Sequence, residues 1–313
     1  MPGVAGVCLI QNAIDAVPAL VGHYLRLGFD RLLFLDDGST DGTRELLGAL
    51  ARSDARIRVA DVVLRRKGQG PLVTEYANAL ITEGFHFVFP FDSDEFWNLD
   101  LAAVRKVAHR RPNVYFAAYM VQFVQDRRVV RGDPLSLLRA VHRAPALHAD
   151  RSASIAARAT AGCFTKRKFG FRSAQPVTLR EGYHKVKLAG GEVSDGAEIF
   201  HLQLRSRDEI QARARRRNWA DPFSLERDVP GGPSWWAANS VRNGCVDTAM
   251  GPLMMIPDRR LQALMARGLA WFALRHPWLL ARALLICRRP LGRRAWSRTP
   301  TAAAGPLAVA PAE

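Results

Sequence analysis

A chain of 313 residues with 48% hydrophobic content can bury a real core and should fold on its own. Its four cysteines, Cys8, Cys163, Cys245 and Cys287, lie far apart with no paired spacing, which argues against a zinc site and a disulfide framework and fits a reducing compartment. The formal charge of +16 is unevenly held: the first 100 residues carry 9 Lys and Arg against 14 Asp and Glu, a net of −5, so the remainder carries +21, mostly as arginine. That half either needs an anionic partner (nucleic acid, anionic lipid or substrate phosphates) or simply reflects an Arg- and Ala-rich composition.

The chain enters an apolar run at residues 4–10 almost at once, leaving no room for a signal peptide, so no export is expected. A polar loop at 11–15 follows, then an amphipathic helix with Val17, Leu20, Val21, Tyr24 and Leu25 on one face. A second apolar run, 31–35, ends in Asp36-Asp37-Gly38-Ser39-Thr40-Asp41-Gly42-Thr43, turn chemistry that leads into a helix over 43–52. The pattern predicts a third strand over 57–63, a helix over 71–82 and a fourth strand over 86–91 that stops at Asp92-Ser93-Asp94-Glu95. Strands alternating with helices imply a mostly parallel sheet, whose ligands bind beyond the carboxyl ends of the strands. A helix near 101–109, a strand near 114–121 and mixed irregular structure to about residue 200 come next. The segment 207–219 is a very basic helix candidate, and no internal repeat is evident.

From Leu261 the chain is apolar and aromatic but interrupted by Arg267, Arg275, Pro277 and Arg282. Two arginines inside residues 269–287 cost roughly 2.5–3.5 kcal/mol each against roughly −0.3 to −0.6 for each large apolar residue, so insertion across a bilayer loses. An interfacial helix bearing Trp271, Phe272 and Trp278 between basic flanks and a helix packed on its own domain stay as alternatives. The tail from Thr299 is expected to be disordered.

Three polar clusters fall at predicted strand ends: Gln11-Asn12, residues 36–41 and residues 92–95. Asp92 and Asp94 are two apart, so if strand geometry persists both carboxylates point to one side and can share a hard divalent cation such as Mg²⁺ or Mn²⁺. Such a cation would stabilise charge on a leaving diphosphate, although loop acids also cap helices.

The run Phe87-Val88-Phe89-Pro90-Phe91-Asp92-Ser93-Asp94-Glu95-Phe96-Trp97, with residues 36–43 upstream, resembles glycosyltransferase family 2, in a subgroup similar to the family 92 transferases. The resemblance spans about residues 7–97, is patchy to residue 206 and is absent after about 219. It implies a GT-A Rossmann-like α/β fold, a mostly parallel sheet flanked by helices, to which the residue pattern adds a helical basic C-terminal extension. The expected division is a transferase domain over 1–220 (nucleotide half 4–97, acceptor half 98–220), a helical region over 221–298 and a tail over 299–313. The resemblance further implies divalent-metal-dependent, inverting transfer of a sugar from a nucleotide-diphosphate donor, expected to be UDP- or GDP-linked, to an acceptor hydroxyl; the arginine-rich second half suits a glycan or lipid-linked acceptor by charge. Among the residues, Asn12 and Asp37 match donor-binding positions, Asp92 one near the ribose or metal, and Asp94 the metal carboxylate.

His201, before Arg205-Ser206-Arg207, resembles a late element of the subgroup that would add a third metal ligand, with Arg205 or Arg207 on the diphosphate; His184 is the rival ligand. An imidazole beside carboxylates favours Mn²⁺ over Mg²⁺. An inverting transfer needs a base, for which Glu181 is the candidate, with Asp195 and Glu198 competing. The sequence departs from the subgroup at Gln11-Asn12-Ala13, where Lys-Asn-Glu is usual; Asp15 is a conceivable substitute. A nucleotidyltransferase is the alternative enzyme, though no Gly-rich phosphate loop follows the first strand, and a basic nucleic-acid-binding protein is the other alternative, though no recognition motif accompanies the Arg213–217 run. The expected setting is cytoplasmic, at the inner face of an anionic membrane, without nucleic acid.

Overall fold

β1 (Val4–Ile10) is buried almost throughout, as an apolar strand must be when helices cover both faces of a parallel sheet. In this computed structural model the described residues are 3–64, 68–109, 113–124, 133–140, 142–143, 167–183, 186–187, 191–193, 197–204 and 256–288. Arg205, His184, Asp195, the basic stretch 207–219 and the tail from Thr299 lie outside them.

α1 (Val17–Leu27) begins at a proline-bearing turn and ends at Gly28, whose φ of 105° a side chain would resist. β2 (Arg31–Asp36), α2 (Thr43–Ser53), β3 (Ile57–Asp61), α3 (Gln69–Thr82) and β4 (Phe87–Asp92) repeat the unit. These strands lie in the order β3-β2-β1-β4, all parallel. The register sets Ile10 beside Asp36 and Leu9 beside Asp92, so the two acidic clusters emerge on either flank of β1 at one edge. Along β1, Val4, Cys8 and Ile10 join the core beneath α1 and α2, while Ala5 and Val7 face the core beneath α3.

β5 (Glu95–Asn98), α4 (Leu101–His109), β6 (Val114–Val124), β7 (His142–Arg143) and β8 (Arg167–Arg172) follow. A small separate ribbon pairs β9 (Thr178–Leu179) with β10 (Val186–Lys187); β11 (Gly191–Val193), β12 (Glu198–Leu204) and β13 (Ile256–Pro257) rejoin the main sheet. β8 runs antiparallel between β4 and β6, and β12 lies parallel to β6 and antiparallel to β5. The result is a Rossmann-like α/β sheet, parallel in its N-terminal half and mixed beyond, flanked by helices. It agrees with the fold class expected, but the stretch between residues 121 and 200, expected to be largely irregular, supplies ordered strands whose pairing is long-range.

α5 (Arg260–Arg275) buries Leu261, Leu264, Met265, Gly268, Leu269 and Phe272. It crosses α1 so closely that a Cβ on Gly22 would stand 1.9 Å from the carbonyl oxygen of Gly268, a contact only two glycines allow. α6 (Pro277–Arg288) then turns away, the two helices meeting at 115° across His276. Among the described residues no single helix is long and apolar enough to cross a membrane. The N-terminal part of the aromatic segment is thus packed on its own domain, whereas Leu274, Trp278 and Leu285 are exposed.

Beside the glycine crossing, His23 is buried with its Nε2 2.9 Å from the carbonyl oxygen of Trp97, which fixes Nε2 as the protonated nitrogen. Burial lowers its pKa to about 3, against a weaker opposing effect of the Trp97 hydrogen bond. The unfolded chain therefore takes up a proton near pH 6.5 that the folded chain refuses, and stability is complete above that pH and falls as pH drops from 6.5 toward 3. Urea titrations should show this residue removing about 2 kcal/mol between pH 7 and pH 5, and His23→Gln should lose that part of the slope. Equal pH slopes in the two proteins would show that His23 is not the group responsible.

Candidate active site

The strand β4 ends at Asp92, and the chain turns through Ser93 and Asp94 before β5 starts at Glu95. Strand geometry does not persist across the acidic motif, and Asp92 and Asp94 meet different partners. Asp92 Oδ2 accepts from Lys168 Nζ at 2.7 Å and its Oδ1 from Gln69 Nε2 at 3.0 Å. Asp94 instead approaches His201, Oδ1 to Nε2 3.6 Å. Of the expected ligands Asp92, Asp94 and His201, the structure brings Asp94 and His201 together with Glu95, and among the described residues these three form the cluster able to hold a metal ion. All three are buried, and one ligand atom from each lies within 4.8 Å of the others.

The backbone explains this grouping. β12 pairs with β5 so that His201 stands directly opposite Glu95, placing both side chains on one face. Leu202 N donates to the carbonyl oxygen of Asp94 at 2.8 Å and fastens the turn to the same strand. From below, Tyr24 of α1 stacks on Phe91 and donates its hydroxyl to the carbonyl oxygen of Glu95 at 2.9 Å, while accepting from Trp97 N.

Lys168, fully buried on β8, is the counter-charge. Its ammonium also donates to Glu95 Oε2 at 2.7 Å and lies 4.8 Å from the centre of the Tyr183 ring. Burial alone would lower the lysine pKa, but Asp92 and Glu95 raise it, so the ammonium stays charged. Burial pushes the Glu95 carboxyl up to about 7; Lys168 opposes the shift, while Asp92 and Asp94 add to it. Glu95 Oε1 lies 2.5 Å from Lys168 Nζ and 4.0 Å from His201 Nε2 yet receives no aligned hydrogen bond.

Two carboxylates and an imidazole around an under-coordinated buried oxygen fit a divalent cation, since bonds of about 2.0–2.4 Å can span this separation after small side-chain shifts. The charges agree as well: three carboxylates against one ammonium leave two negative charges when Glu95 is ionised.

Across β1, Asp37 is half-exposed, with Oδ1 accepting from Leu64 N at 3.0 Å and Oδ2 3.4 Å from Gln11 Nε2. Asn12 has a left-handed backbone (φ 52°), its Oδ1 accepts from Thr40 N at 2.8 Å, and its N–H donates to Ser39 Oγ. Its side-chain oxygen therefore clasps two loops together. Asp15 is buried. Glu198, one rival for the base, is bonded to Arg260 at 2.6 Å on the β12 edge. Glu181 sits in a short 3₁₀ turn (Glu181–Tyr183) whose Tyr183 hydroxyl accepts from Gln69 Nε2 at 2.9 Å, which brings the backbone of this segment to the Asp92 side of the site.

Sequence reading did not assign Glu95, Lys168, Gln69 or Tyr183. Glu95 had a local signal, being inside the acidic motif. The only hint for Lys168 was the charge count, since three clustered acids need a cation.

No protein-family model matches the chain, and no curated protein sequence matches it. Among solved structures, it is similar to residues 1–349 of TarS from S. aureus, with 16% identity over 88% of this chain and 90% of that one, at a TM-score of 0.35. It is also similar to the mannosyltransferase PcManGT from Pyrobaculum calidifontis, solved with GDP-Man and Mn²⁺, with 14% identity over 91% and 86% of the two chains, at a TM-score of 0.37.

Removing the buried ammonium should be costly because it strands Glu95 and Asp92. Lys168→Met is expected to lose about 3–5 kcal/mol in urea denaturation, the range for breaking a buried ion pair from one side. A loss below about 1 kcal/mol would mean the two carboxyls are not held as charged groups.

Proposed function

We propose that the protein is a divalent-metal-dependent glycosyltransferase that moves a sugar from a UDP- or GDP-linked donor to an acceptor hydroxyl of a glycan or lipid-linked molecule. The observation that carries this reading is the buried Asp94–Glu95–His201 cluster at the carboxyl edge of the sheet, one strand away from the Asp37 loop. Ligand sites in open α/β sheets lie at this edge, and the motifs that form the two loops are those on which the family 2 resemblance rests.

Asp94, Glu95 and His201 would hold Mn²⁺ or Mg²⁺, and the ion when bound would neutralise charge on the diphosphate of the donor. Asp37 would receive the donor's base or ribose hydroxyls, supported by its half-exposed carboxylate beside Gln11. Asp92, anchored by Lys168 and Gln69, would act at the ribose rather than as a ligand. Asn12 would act by holding the 36–41 loop in place, and Arg205 would pair with the diphosphate.

Transfer with inversion is a single displacement. The acceptor oxygen bonds to the anomeric carbon, the bond from that carbon to the phosphate oxygen breaks, and the nucleoside diphosphate leaves with the electron pair. The hydroxyl proton passes to a carboxylate, for which Glu181 is the candidate, supported by the approach of its segment to the site through Tyr183. The proposed setting is the cytoplasmic face of a membrane.

Calorimetry with UDP, GDP and their sugar conjugates, with and without Mn²⁺, tests the reading. One nucleotide should bind at least ~10-fold more tightly with metal, and Asp94→Ala should remove the metal-dependent part, since charge-assisted contacts to a buried ion carry it. Binding that is the same for every nucleotide and indifferent to chelation would remove the metal role of Asp94. Release of pyrophosphate in place of a nucleoside diphosphate on turnover would move the protein to the nucleotidyltransferases.

A further inference from the structure

α6 has two unlike faces. On the inner side Ala283 is fully buried and Leu279, Leu280 and Ile286 pack against the main core; a Cβ added to Gly42 would stand 3.0 Å from Ile286. On the outer side Trp278 is 86% exposed and Leu285 63%, joined by Leu274 at the end of α5, which is 84% exposed. Trp278, Arg282 and Leu285 follow the i, i+4, i+7 spacing of one helical face. Three large exposed apolar side chains on one elbow are more than scattered surface residues require.

Charge decides among occupants. Between Arg259 and Ala312 the sequence holds ten arginines and no aspartate or glutamate, and Arg275 and Arg282 lie among the exposed apolar residues. Two copies of such a face would bring arginine against arginine, whereas an anionic lipid surface supplies the missing negative charge. Its headgroups meet the guanidinium groups while Trp278 and the leucines enter the interface.

We propose that the outer face of the α5–α6 elbow docks on an anionic lipid bilayer, lying on it without spanning it. The 115° bend and the burial of α5 against α1 suit this mode, because α5 is committed to the core and only the elbow and α6 are offered. The contact of Ile286 beside Gly42 sets this face next to the 36–42 loop, so docking brings the proposed donor edge close to the lipid. The docking itself does not rest on the transfer reading.

The test is flotation of the full chain with vesicles of phosphatidylcholine alone and of phosphatidylcholine mixed with phosphatidylglycerol. The protein should float with the mixed vesicles only, and raised salt should weaken the association. Trp278→Glu combined with Leu274→Glu should reduce the bound fraction by ~10-fold or more while leaving the melting curve unchanged, because both side chains are exposed. No flotation with anionic vesicles overturns the proposal. Flotation unaffected by the double substitution also overturns it, placing the contact elsewhere in the basic half. So does a concentration-dependent dimer, seen by light scattering, that the substitutions abolish while vesicles remain unbound.

Discussion

The fully buried ammonium of Lys168 is the constraint from which the site takes its shape. A charge cannot be withdrawn from water without partners, and among the described residues this one is paired with carboxylates on two sides of a turn, Asp92 and Glu95. The arrangement draws β8 to the end of β4, ties Asp92 to Glu95 through one ammonium, and leaves Glu95 shared between the lysine and the space beside His201. A stretch of chain with three acids in four residues would otherwise repel itself. Here one acid is neutralised internally, and the remaining negative charge is directed toward His201 and Asp94.

The helical layer beneath supports the same turn. The Gly22–Gly268 crossing lets α5 press on α1, and α1 in turn presents Tyr24 and His23 to β5, bonding to the backbone at Glu95 and Trp97. The C-terminal helix, which reads in sequence as an appendage, is thereby one packing layer from the site. Aromatic stacking of Tyr24 on Phe91 adds rigidity where the acidic turn begins. A preorganised turn of this kind suits electrostatic work, because the side chains need not rearrange when charge arrives.

Much of this was legible in the residue order. Alternating apolar runs and helical periodicities marked the strands and helices of the parallel half, though not their order, and turn residues at 36–43 and 92–95 marked where its loops would gather. Those signals are local. The partnership of Lys168 with Asp92 and Glu95 bridges 76 and 73 residues, and Lys168 is one basic residue among many in Arg167-Lys168-Phe169-Gly170-Phe171-Arg172. The place of Glu95 beside Asp94 and His201 follows from a turn replacing strand geometry after Asp92, and from the β5–β12 register that sets His201 opposite Glu95. Neither is encoded in spacing alone. Asn12 illustrates the reverse case: a polar residue at the right strand end, whose left-handed backbone and bond to Thr40 give it a loop-holding part.

The position of a cation among these acids decides the role of the turn. Crystals grown with Mn²⁺ and measured on both sides of its absorption edge would locate the ion directly by anomalous difference. A peak within bonding distance of Asp94, Glu95 and His201, with Lys168 still between Asp92 and Glu95, is the expected result. A peak held by Asp92 with His201 remote, or no peak at this turn at saturating Mn²⁺, would contradict it.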